Sequence, residues 1–309
     1  MTERTLFIHA GGSKTGSSAI QNFLEFNATK LESIGYAYEN RLNIKDYNTV
    51  TAGNGLLLFQ VIKSVTTSNN EIDSLVLSYF GNCNIGICSS EFFADFNACN
   101  WKTLYELSVR LGFKLKILFF VRDVISYFQS GYDQVIKRHG VAVSFDRWVE
   151  HAEWQHYSAL REIINEIPKS NIYVLSYEAT KVKLVKEFLT ILGVDLAFDF
   201  DANATVKKTI NRSLTAKERD VLISVNNIFG DQFSREISDL LLYAFPDINS
   251  DIILFNDITK ALLLDKFSYS VDWINRNFFN DEPVISVLPE KLINTRPLHE
   301  PSKNPIKMR

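Results

Sequence analysis

The stretch from Leu6 to Asn27, LFIHAGGSKTGSSAIQNFLEFN, constrains the fold more than any other part of the chain. Its first three residues form an apolar run that predicts a buried strand, and apolar residues at helical spacing after Ser17 predict an amphipathic helix. Between them lies a turn of small residues with one lysine, Lys14. A strand, a glycine turn and a helix start direct backbone N–H groups and the positive end of the helix dipole at one spot. The stretch therefore predicts a loop that binds a phosphate or a sulfate.

Side chains of the turn strengthen this prediction. Lys14 adds a full positive charge, and four hydroxyl residues add hydrogen-bond donors: Ser13, Thr15, Ser17 and Ser18. The hydroxyl groups of Ser17 and Ser18 could also serve only as helix caps, but the lysine beside them favours ligand binding.

Apolar runs that predict strands recur after this loop, at residues 34–39, 84–88, 115–121 and 171–177. The run at 115–121, LKILFFV, is the most hydrophobic in the chain, and it lacks alternation, as is typical of a central parallel strand covered on both faces. Helical patterns separate the runs. The sequence therefore predicts an α/β fold with three layers, in which helices cover both faces of a central, mostly parallel sheet.

Polar residues follow four of the predicted strands, at 9–16, 89–91, 122–123 and 176–178. Ligands of such sheets lie beyond the carboxyl ends of the strands. We therefore expect these four segments to face one crevice.

The pattern changes from about residue 197, after which no strong strand is predicted. A polar loop holds Lys207, Lys208 and Arg212, and helical patterns follow at 214–229, 233–243 and 258–267. We expect a helical C-terminal part that packs on the same core, so that residues 1–296 form a single domain. The proline- and charge-rich tail at 297–309 is expected to be mobile.

The composition limits which binding partners and which cellular location are expected for the protein. The chain has 309 residues, of which 46% are apolar and 22% charged, and its net charge of −3 gives no strong field to attract nucleic acid or anionic lipid. No signal peptide or membrane-spanning run is predicted. Three cysteines with no C-x-x-C spacing predict neither a disulfide framework nor a zinc site, so a cytoplasmic setting is expected.

The first motif to compare with the loop is the triphosphatase P-loop, G-x-x-x-x-G-K-[ST]. Gly11 and Gly16 have its spacing, but Lys14 precedes the second glycine, whereas a kinase lysine follows it. The order K-T-G-S-S instead resembles the 5′-phosphosulfate loop of sulfotransferases, and HAGGSKTGSSAIQNFL is similar to bacterial members of that superfamily.

This resemblance implies a second element. Sulfotransferases use 3′-phosphoadenosine 5′-phosphosulfate, and an arginine at a strand end and a serine eight residues later hold its 3′-phosphate. Arg122 ends LKILFFV here, and Ser130 stands eight residues on. The guanidinium offers a planar charged fork to a phosphate. An arginine followed by an aspartate at a strand end is also a common helix cap. Arg122 and Ser130 therefore indicate a phosphate site only in combination with the loop around Lys14.

The resemblance also implies roles in catalysis. Lys14 and the loop N–H groups are expected to stabilise charge on the leaving oxygen, with no metal. Glu91, in SSEFF after the strand at 84–88, resembles the catalytic glutamate of glycan sulfotransferases, and a helix cap or a charge pair is the alternative for it. His9 is the second candidate for the base. Lys208 and Arg212 are expected at the phosphate, unless that loop is simply solvated.

The sequence therefore predicts a sulfotransferase that transfers a sulfuryl group to a hydroxyl or amine of a carbohydrate or other metabolite. A P-loop-type kinase and an inactive nucleotide-binding scaffold remain as alternatives. The sequence names neither the acceptor, which is a small molecule or a glycan, nor the oligomeric state.

Overall fold

A computed structural model describes residues 3–39, 52–64, 69–200, 212–251, 253 and 255–289. Five strands form one sheet in the order β2-β3-β1-β4-β5, and every neighbouring pair is parallel. The strands are β1 Arg4–His9, β2 Tyr36–Ala37, β3 Ile85–Ser89, β4 Phe113–Val121 and β5 Ile172–Ser176. The prediction of an α/β fold with strands at these places is confirmed, and the sheet is wholly parallel.

Helices follow the strands along the chain. They are α1 Ser17–Phe26, α2 Ala28–Ser33, α3 Leu56–Lys63, α4 Asn69–Ser78, α5 Ala98–Leu111, α6 Val124–His139, α7 Phe145–Glu150, α8 Gln155–Glu166, α9 Tyr177–Thr180, α10 Leu184–Leu192, α11 Ala216–Phe229, α12 Ser234–Ala244 and α13 Asp257–Phe278. Gly140 and Gly193, both with left-handed backbones, terminate α6 and α10.

Two separate cores cover the faces of the sheet, because successive side chains of a strand point to opposite faces. Leu6 and Ile8 of β1 pack in the larger core, which includes residues of α5, α6 and α8, whereas Phe7 packs in the smaller core with residues of α1 and α10. The last five residues of β4, 117–121, are completely buried. Full burial of one such side chain stabilises a fold by about 1.5–3 kcal/mol.

The C-terminal helices α11, α12 and α13 share the larger core with the sheet. Two predictions about helices were wrong in extent. Helix α13 has 22 residues and ends eleven residues past the predicted end at residue 267, and α4 was not predicted. Polar residues such as Ser270 and Asn275 interrupt the apolar pattern of α13, but both are buried in the fold.

After α13 the chain returns to the sheet. The N–H groups of Val124 and Ile125, in the first turn of α6, donate to the carbonyls of Ser286 (3.0 Å) and Val287 (3.1 Å). Asn275 holds this segment through two hydrogen bonds with the backbone of Ile285. The C-terminal segment therefore satisfies backbone groups that an isolated α6 would leave open.

Candidate active site

The loop after β1 adopts a backbone that ordinary residues avoid. Gly11 (φ 24°), Lys14 (φ 66°) and Gly16 (φ 77°) all have positive φ. Glycine accepts this conformation readily, but a lysine in the left-handed region costs about 1–2 kcal/mol, because Cβ approaches the following carbonyl oxygen. Such strain persists where surrounding contacts impose it, and it clusters at functional sites.

Gly12 lies where no side chain fits. A Cβ atom at this position would be 2.5 Å from Nε2 of His156 and 2.7 Å from the carbonyl oxygen of Phe120. The loop backbone therefore lies directly on the end of β4.

Helix α1 begins in this loop without a side-chain cap at Gly16, its N-cap residue. The hydroxyl of Ser17 is buried and has no hydrogen-bond partner among the described residues, and Ser18 is half-buried. The first N–H groups of a helix have no partner within the helix. An anion at this place would receive hydrogen bonds from these N–H groups and charge from the helix dipole.

Two of the predicted hydroxyl ligands are used within the protein instead. Ser13 donates to Oε1 of Gln155 (3.0 Å), and the buried Thr15 donates to the carbonyl of Gly12 (2.5 Å). Both bonds fix the shape of the loop.

Arg122 connects three elements at the carboxyl end of the sheet. Its Nη1 donates to the carbonyl of Lys14 (3.0 Å), and its Nε donates to the carboxylate of Glu178 (3.3 Å) at the start of α9. The guanidinium lies over the ring of Tyr177, 5.2 Å from its centroid. No described residue bonds its Nη2 atom. Arg122 thus holds the strained residue of the loop and retains donor capacity.

Ser130 lies on α6, half-buried, in the helix that follows Arg122. The hydroxyl makes no hydrogen bond with another described residue. This position matches the predicted pairing of a strand-end arginine with a helical serine, and its role as a ligand stays a prediction.

His156 is a buried connection between the loop and β4. The N–H of Arg122 donates to its Nδ1 (3.1 Å), so Nδ1 carries no proton and Nε2 donates to the carbonyl of Ser13 (3.0 Å). Burial lowers its pKa to about 3, so the ring is neutral near pH 7. The sequence did not indicate this role, because a histidine that bonds two backbone groups leaves no local pattern.

Glu91 and Lys14 interact electrostatically. Glu91 begins a short 3₁₀ helix after β3, and more than a third of its side-chain surface is exposed. Surrounding protein atoms still displace enough water to raise its pKa, while Lys14 lowers it. Burial likewise lowers the pKa of Lys14, and Glu91 raises it. The two residues therefore carry opposite charges and lie within electrostatic range of each other.

His9, the second candidate for the base, is sealed inside the protein with 1% of its surface exposed. Its Nδ1 hydrogen-bonds the Ser89 hydroxyl (2.8 Å), and its ring packs edge-on against Phe120 and Phe188. Burial lowers its pKa to about 3. A buried imidazole of such low basicity suits packing, so the expectation for His9 is corrected.

The structure also corrects the expectation for Arg212. Its guanidinium forms two hydrogen bonds with the carboxylate of Glu218 and further bonds with the carbonyls of Phe245 and Ser213. Because these bonds occupy the donors of the buried guanidinium, Arg212 is not available to bind a ligand. Lys208 lies outside the described residues.

The structure adds one cation that the sequence did not single out. Lys137 of α6 is 3% exposed; burial lowers its pKa to about 8, while the charge of Asp133 raises it and that of Lys14 lowers it. Its spacing of seven residues from Ser130 could have indicated a shared helix face.

A cleft of about 810 Å³ opens beside the loop. Ser13 and Lys14 line it. Its remaining wall comes from α6, α7 and the segment before α8, with aromatic, amide and charged side chains that include Tyr127, Gln134, Arg147, Trp148, Glu150 and His151. The cleft can hold a molecule with both a flat apolar face and polar groups.

In the part of the chain that the structure describes, no cluster of three or more His, Cys, Asp or Glu side chains could hold a metal ion. No helix within these residues is long and apolar enough to cross a membrane.

The parallel sheet and the glycine loop before α1 define an α/β protein with a P-loop-like loop. No protein-family model matches the chain, and no curated protein matches it.

Solved structures that resemble the chain include sulfotransferases. A sulfotransferase from Alicyclobacillus acidocaldarius is 15% identical, with 78% of this chain and 97% of that chain covered and a TM-score of 0.39. Mouse sulfotransferase SULT7A1, in complex with PAP, is 11% identical, with 92% and 89% covered and a TM-score of 0.42. The sulfotransferase domain from the curacin biosynthetic pathway is 14% identical, with 87% and 98% covered and a TM-score of 0.32. Because these TM-scores lie below 0.5, the function proposed below rests on the residues of the site.

Proposed function

We propose that the protein is a sulfotransferase that uses 3′-phosphoadenosine 5′-phosphosulfate. The observation that carries this proposal is the strained Lys14, which stands before Gly16 and whose carbonyl accepts a hydrogen bond from Arg122. This contact links the loop proposed for the 5′-phosphosulfate to the arginine proposed for the 3′-phosphate.

The loop residues fit this donor. The uncapped start of α1 and the buried, unpartnered hydroxyl of Ser17 offer hydrogen bonds to an anion, and Gly12 and Gly16 leave no side chain between the loop backbone and its neighbours. Ser18 lies in the same first turn. In this proposal Arg122 and Ser130 hold the 3′-phosphate.

The donor, when bound, supplies the sulfuryl group, whose bond to the bridging phosphate oxygen breaks as a bond to the acceptor forms. Glu91 takes the proton of the acceptor hydroxyl or amine. The Lys14 ammonium donates to the oxygen on which negative charge develops. A preorganised donor of this kind accelerates a reaction by about 10²–10³.

For the acceptor we propose a carbohydrate or another hydroxylated metabolite. The cleft beside Lys14 offers Trp148 and Tyr127 for a flat sugar face, and Gln134 and Glu150 for its hydroxyl groups. Free thiols at Cys83, Cys88 and Cys99 suit the cytoplasmic setting that we propose.

A kinase is the second candidate, because the glycine spacing of the loop is that of a P-loop. Ser17 occupies the place of the kinase lysine, which speaks against it. Calorimetric titration separates the two functions. We expect adenosine 3′,5′-bisphosphate to bind without magnesium. Binding of ATP that requires magnesium, with no binding of the bisphosphate, would exclude the sulfotransferase.

An assay of sulfuryl transfer distinguishes an enzyme from an inactive nucleotide-binding scaffold. Incubation with ³⁵S-labelled donor and a panel of sugars, phenols and amines should give a labelled product, and mass spectrometry identifies it. Lys14→Ala and Glu91→Gln, both folded, should lose transfer, with Lys102→Ala on the exposed face of α5 as the control. Tight nucleotide binding with no transfer to any acceptor would favour the scaffold.

A further inference from the structure

Aromatic side chains of α8 and α13 form a cluster near the cleft. Tyr157 and Arg161 stand four residues apart on α8, and Tyr269 and Trp273 stand four residues apart on α13. Residues at this spacing lie on one face of a helix. The ring of Tyr157 packs edge-on against the rings of Tyr269 (6.5 Å between centroids) and Trp273 (5.6 Å). These four residues, the α8–α13 cluster, therefore join the two helices.

Much of the α8–α13 cluster lies at the surface. Tyr269 is 68% exposed, and Tyr157 and Trp273 are half-buried. The exposed Arg161 has its guanidinium carbon 5.8 Å from the centroid of the Tyr157 ring, and its Nη1 donates to the hydroxyl of that tyrosine (3.4 Å). Among the described residues, none accepts a hydrogen bond from its Nε or Nη2. The cluster thus offers apolar ring surface together with free hydrogen-bond donors.

Helix α13 connects this cluster to the cleft. Glu150 lines the cleft, and its carbonyl accepts a hydrogen bond from Nζ of Lys266 on α13 (2.7 Å). Tyr269 follows Lys266 by three residues and Trp273 follows it by seven, which corresponds to about 4.5 Å and about 10.5 Å along the helix axis. The aromatic surface therefore begins one helical turn from the edge of the cleft and continues for one turn more.

Burial of apolar area does not account for the exposed ring of Tyr269, because most of its surface stays in water. Rings with polar tips suit ligands that have both an apolar face and hydroxyl groups. Sugars are ligands of this kind, and the cleft already carries the same combination in Trp148 and Gln134. A ligand that repeats this chemistry along its length fits both the cleft and the surface beyond it.

We propose that the α8–α13 cluster binds further sugar units of a glycan chain, one unit of which lies in the cleft. Tyr269 stacks against a sugar face, and Arg161 donates to its hydroxyl groups. This inference rests on the function proposed above and narrows the acceptor from a hydroxylated metabolite to an oligosaccharide or polysaccharide. The interaction is non-covalent, so the cluster contributes to affinity for long acceptors and not to the transfer step.

The test compares ligands that differ in length. Calorimetry measures the binding of cello-, chito- and malto-oligosaccharides, each from the monosaccharide to the hexasaccharide. We expect affinity to rise with length in at least one series, and Tyr269→Ala to weaken hexasaccharide binding by about 3- to 10-fold with monosaccharide binding unchanged. Tyr269→Phe keeps the ring and should retain most of the affinity. Tyr243→Ala removes a tyrosine of α12 that is 85% exposed, and should change neither.

Fluorine NMR locates the bound ligand. The chain has four tryptophans, and fluorotryptophan labelling gives each its own resonance. Trp148→Phe and Trp273→Phe assign the resonance of the cleft and that of the cluster. The monosaccharide should shift the Trp148 resonance alone, whereas the hexasaccharide of the same series should shift both.

Three results would overturn the inference: affinity that is independent of length in every series, hexasaccharide binding that Tyr269→Ala leaves unchanged, or an unmoved Trp273 resonance. Sedimentation of the wild type and of Tyr269→Ala adds a fourth, because loss of a dimer in the variant would assign the cluster to a second copy of the chain. Titration with adenosine 3′,5′-bisphosphate tests the proposed function separately. A chain that binds long oligosaccharides through Tyr269 but no bisphosphate would support the glycan site and exclude the sulfotransferase.

Discussion

Lys14 shows how strain and charge are combined in one residue. Its left-handed backbone is unfavourable for lysine, and its carbonyl is held by Arg122. The charge of Glu91 raises the pKa of the same residue, while burial lowers it. Stability alone would favour glycine at this position, which supports the role proposed above for the lysine side chain.

Substitution of Lys14 should separate stability from activity. We expect Lys14→Gly to have a free energy of unfolding about 0.5–1 kcal/mol higher than Lys14→Ala. Glycine loses more conformational entropy on folding than alanine does, but the left-handed strain that it removes is larger than this loss. Both variants should lose about 10²–10³ in kcat. Urea unfolding and labelled transfer measure the two effects. Equal stability of the two variants would show that the strain is absent.

The pH profile of transfer should have two limbs. Glu91 must be ionised to act as base, and because burial raises its pKa above 4.5, activity should fall at a pH higher than an ordinary glutamate would give. Lys14 must be protonated, and because burial lowers its pKa below 10.5, the alkaline limb should be shifted downward. A profile of kcat/KM measures both limbs. In Glu91→Gln the residual activity should lack the acid limb; persistence of that limb would assign it to another group.

At the scale of elements, the loop and the end of β4 are fitted to each other. Gly12 lies against the carbonyl of Phe120, and His156 bonds backbone groups of Ser13 and Arg122. These contacts join β1, β4 and α8 at one point. The shape of the loop is therefore a property of three elements, not of its own sequence alone.

A single methyl group should break this fit. Gly12→Ala places a Cβ 2.5 Å from Nε2 of His156, so we expect a loss of about 1–3 kcal/mol in the free energy of unfolding and of nucleotide binding. Urea unfolding and calorimetry measure these changes. Gly112→Ala serves as the control for nucleotide binding, since its methyl group meets no atom within 4 Å; its positive φ should lower stability by about 1–2 kcal/mol without a change in binding. Normal binding by Gly12→Ala would mean that the loop can move away from His156.

The start of α11 should contribute to stability in a pH-dependent way. Hydrogen bonds from Arg212 lower the pKa of Glu218 from 4.5 to about 2 in the folded chain. A carboxylate with a depressed folded pKa stabilises the fold above its unfolded pKa. This contribution should therefore be complete above pH 4.5 and vanish as the pH falls toward 2. Unfolding free energies of the wild type and Glu218→Gln, measured across this range, should converge at low pH; a constant difference would contradict the assignment.

At the scale of the whole molecule, the C-terminal segment completes the site region. Ser286 and Val287 bond the first turn of α6, and Ser286 also donates to the side chain of Asp123 (3.0 Å). The position of Arg122 therefore depends on residues more than 160 positions further along the chain.

Truncation should reveal this dependence. Removal of residues 282–309 is expected to lower the Tm and weaken nucleotide binding, because N–H groups of Val124 and Ile125 lose buried partners. Removal of 297–309 alone, the tail that the sequence predicts to be mobile, should leave both unchanged. Thermal unfolding and calorimetry compare the two truncated chains with the wild type. A longer truncation with wild-type Tm would show that this segment contributes nothing.

The sequence predicted the features that depend on local pattern. The apolar run of β4 and the strand–turn–helix around Lys14 identified the sheet and the loop, because burial and backbone geometry dictate residue types there. It did not predict the partner of Arg212, since Glu218 competes with a ligand for the same donors only once α11 is in place. The burial of His9 was missed because Phe120 and Phe188, which pack against its ring, come from distant parts of the sequence.

The hydrogen bonds between Ser286 and the start of α6 also concern the synthesis of the protein. A ribosome releases β1, β4 and α6 long before residue 286, so during that interval the first turn of α6 lacks the two carbonyls that later accept from it. Domains generally fold as units while the chain emerges. A nascent chain would therefore complete the proposed nucleotide site only after residue 287 has emerged, and a product that terminates before this residue would lack these contacts.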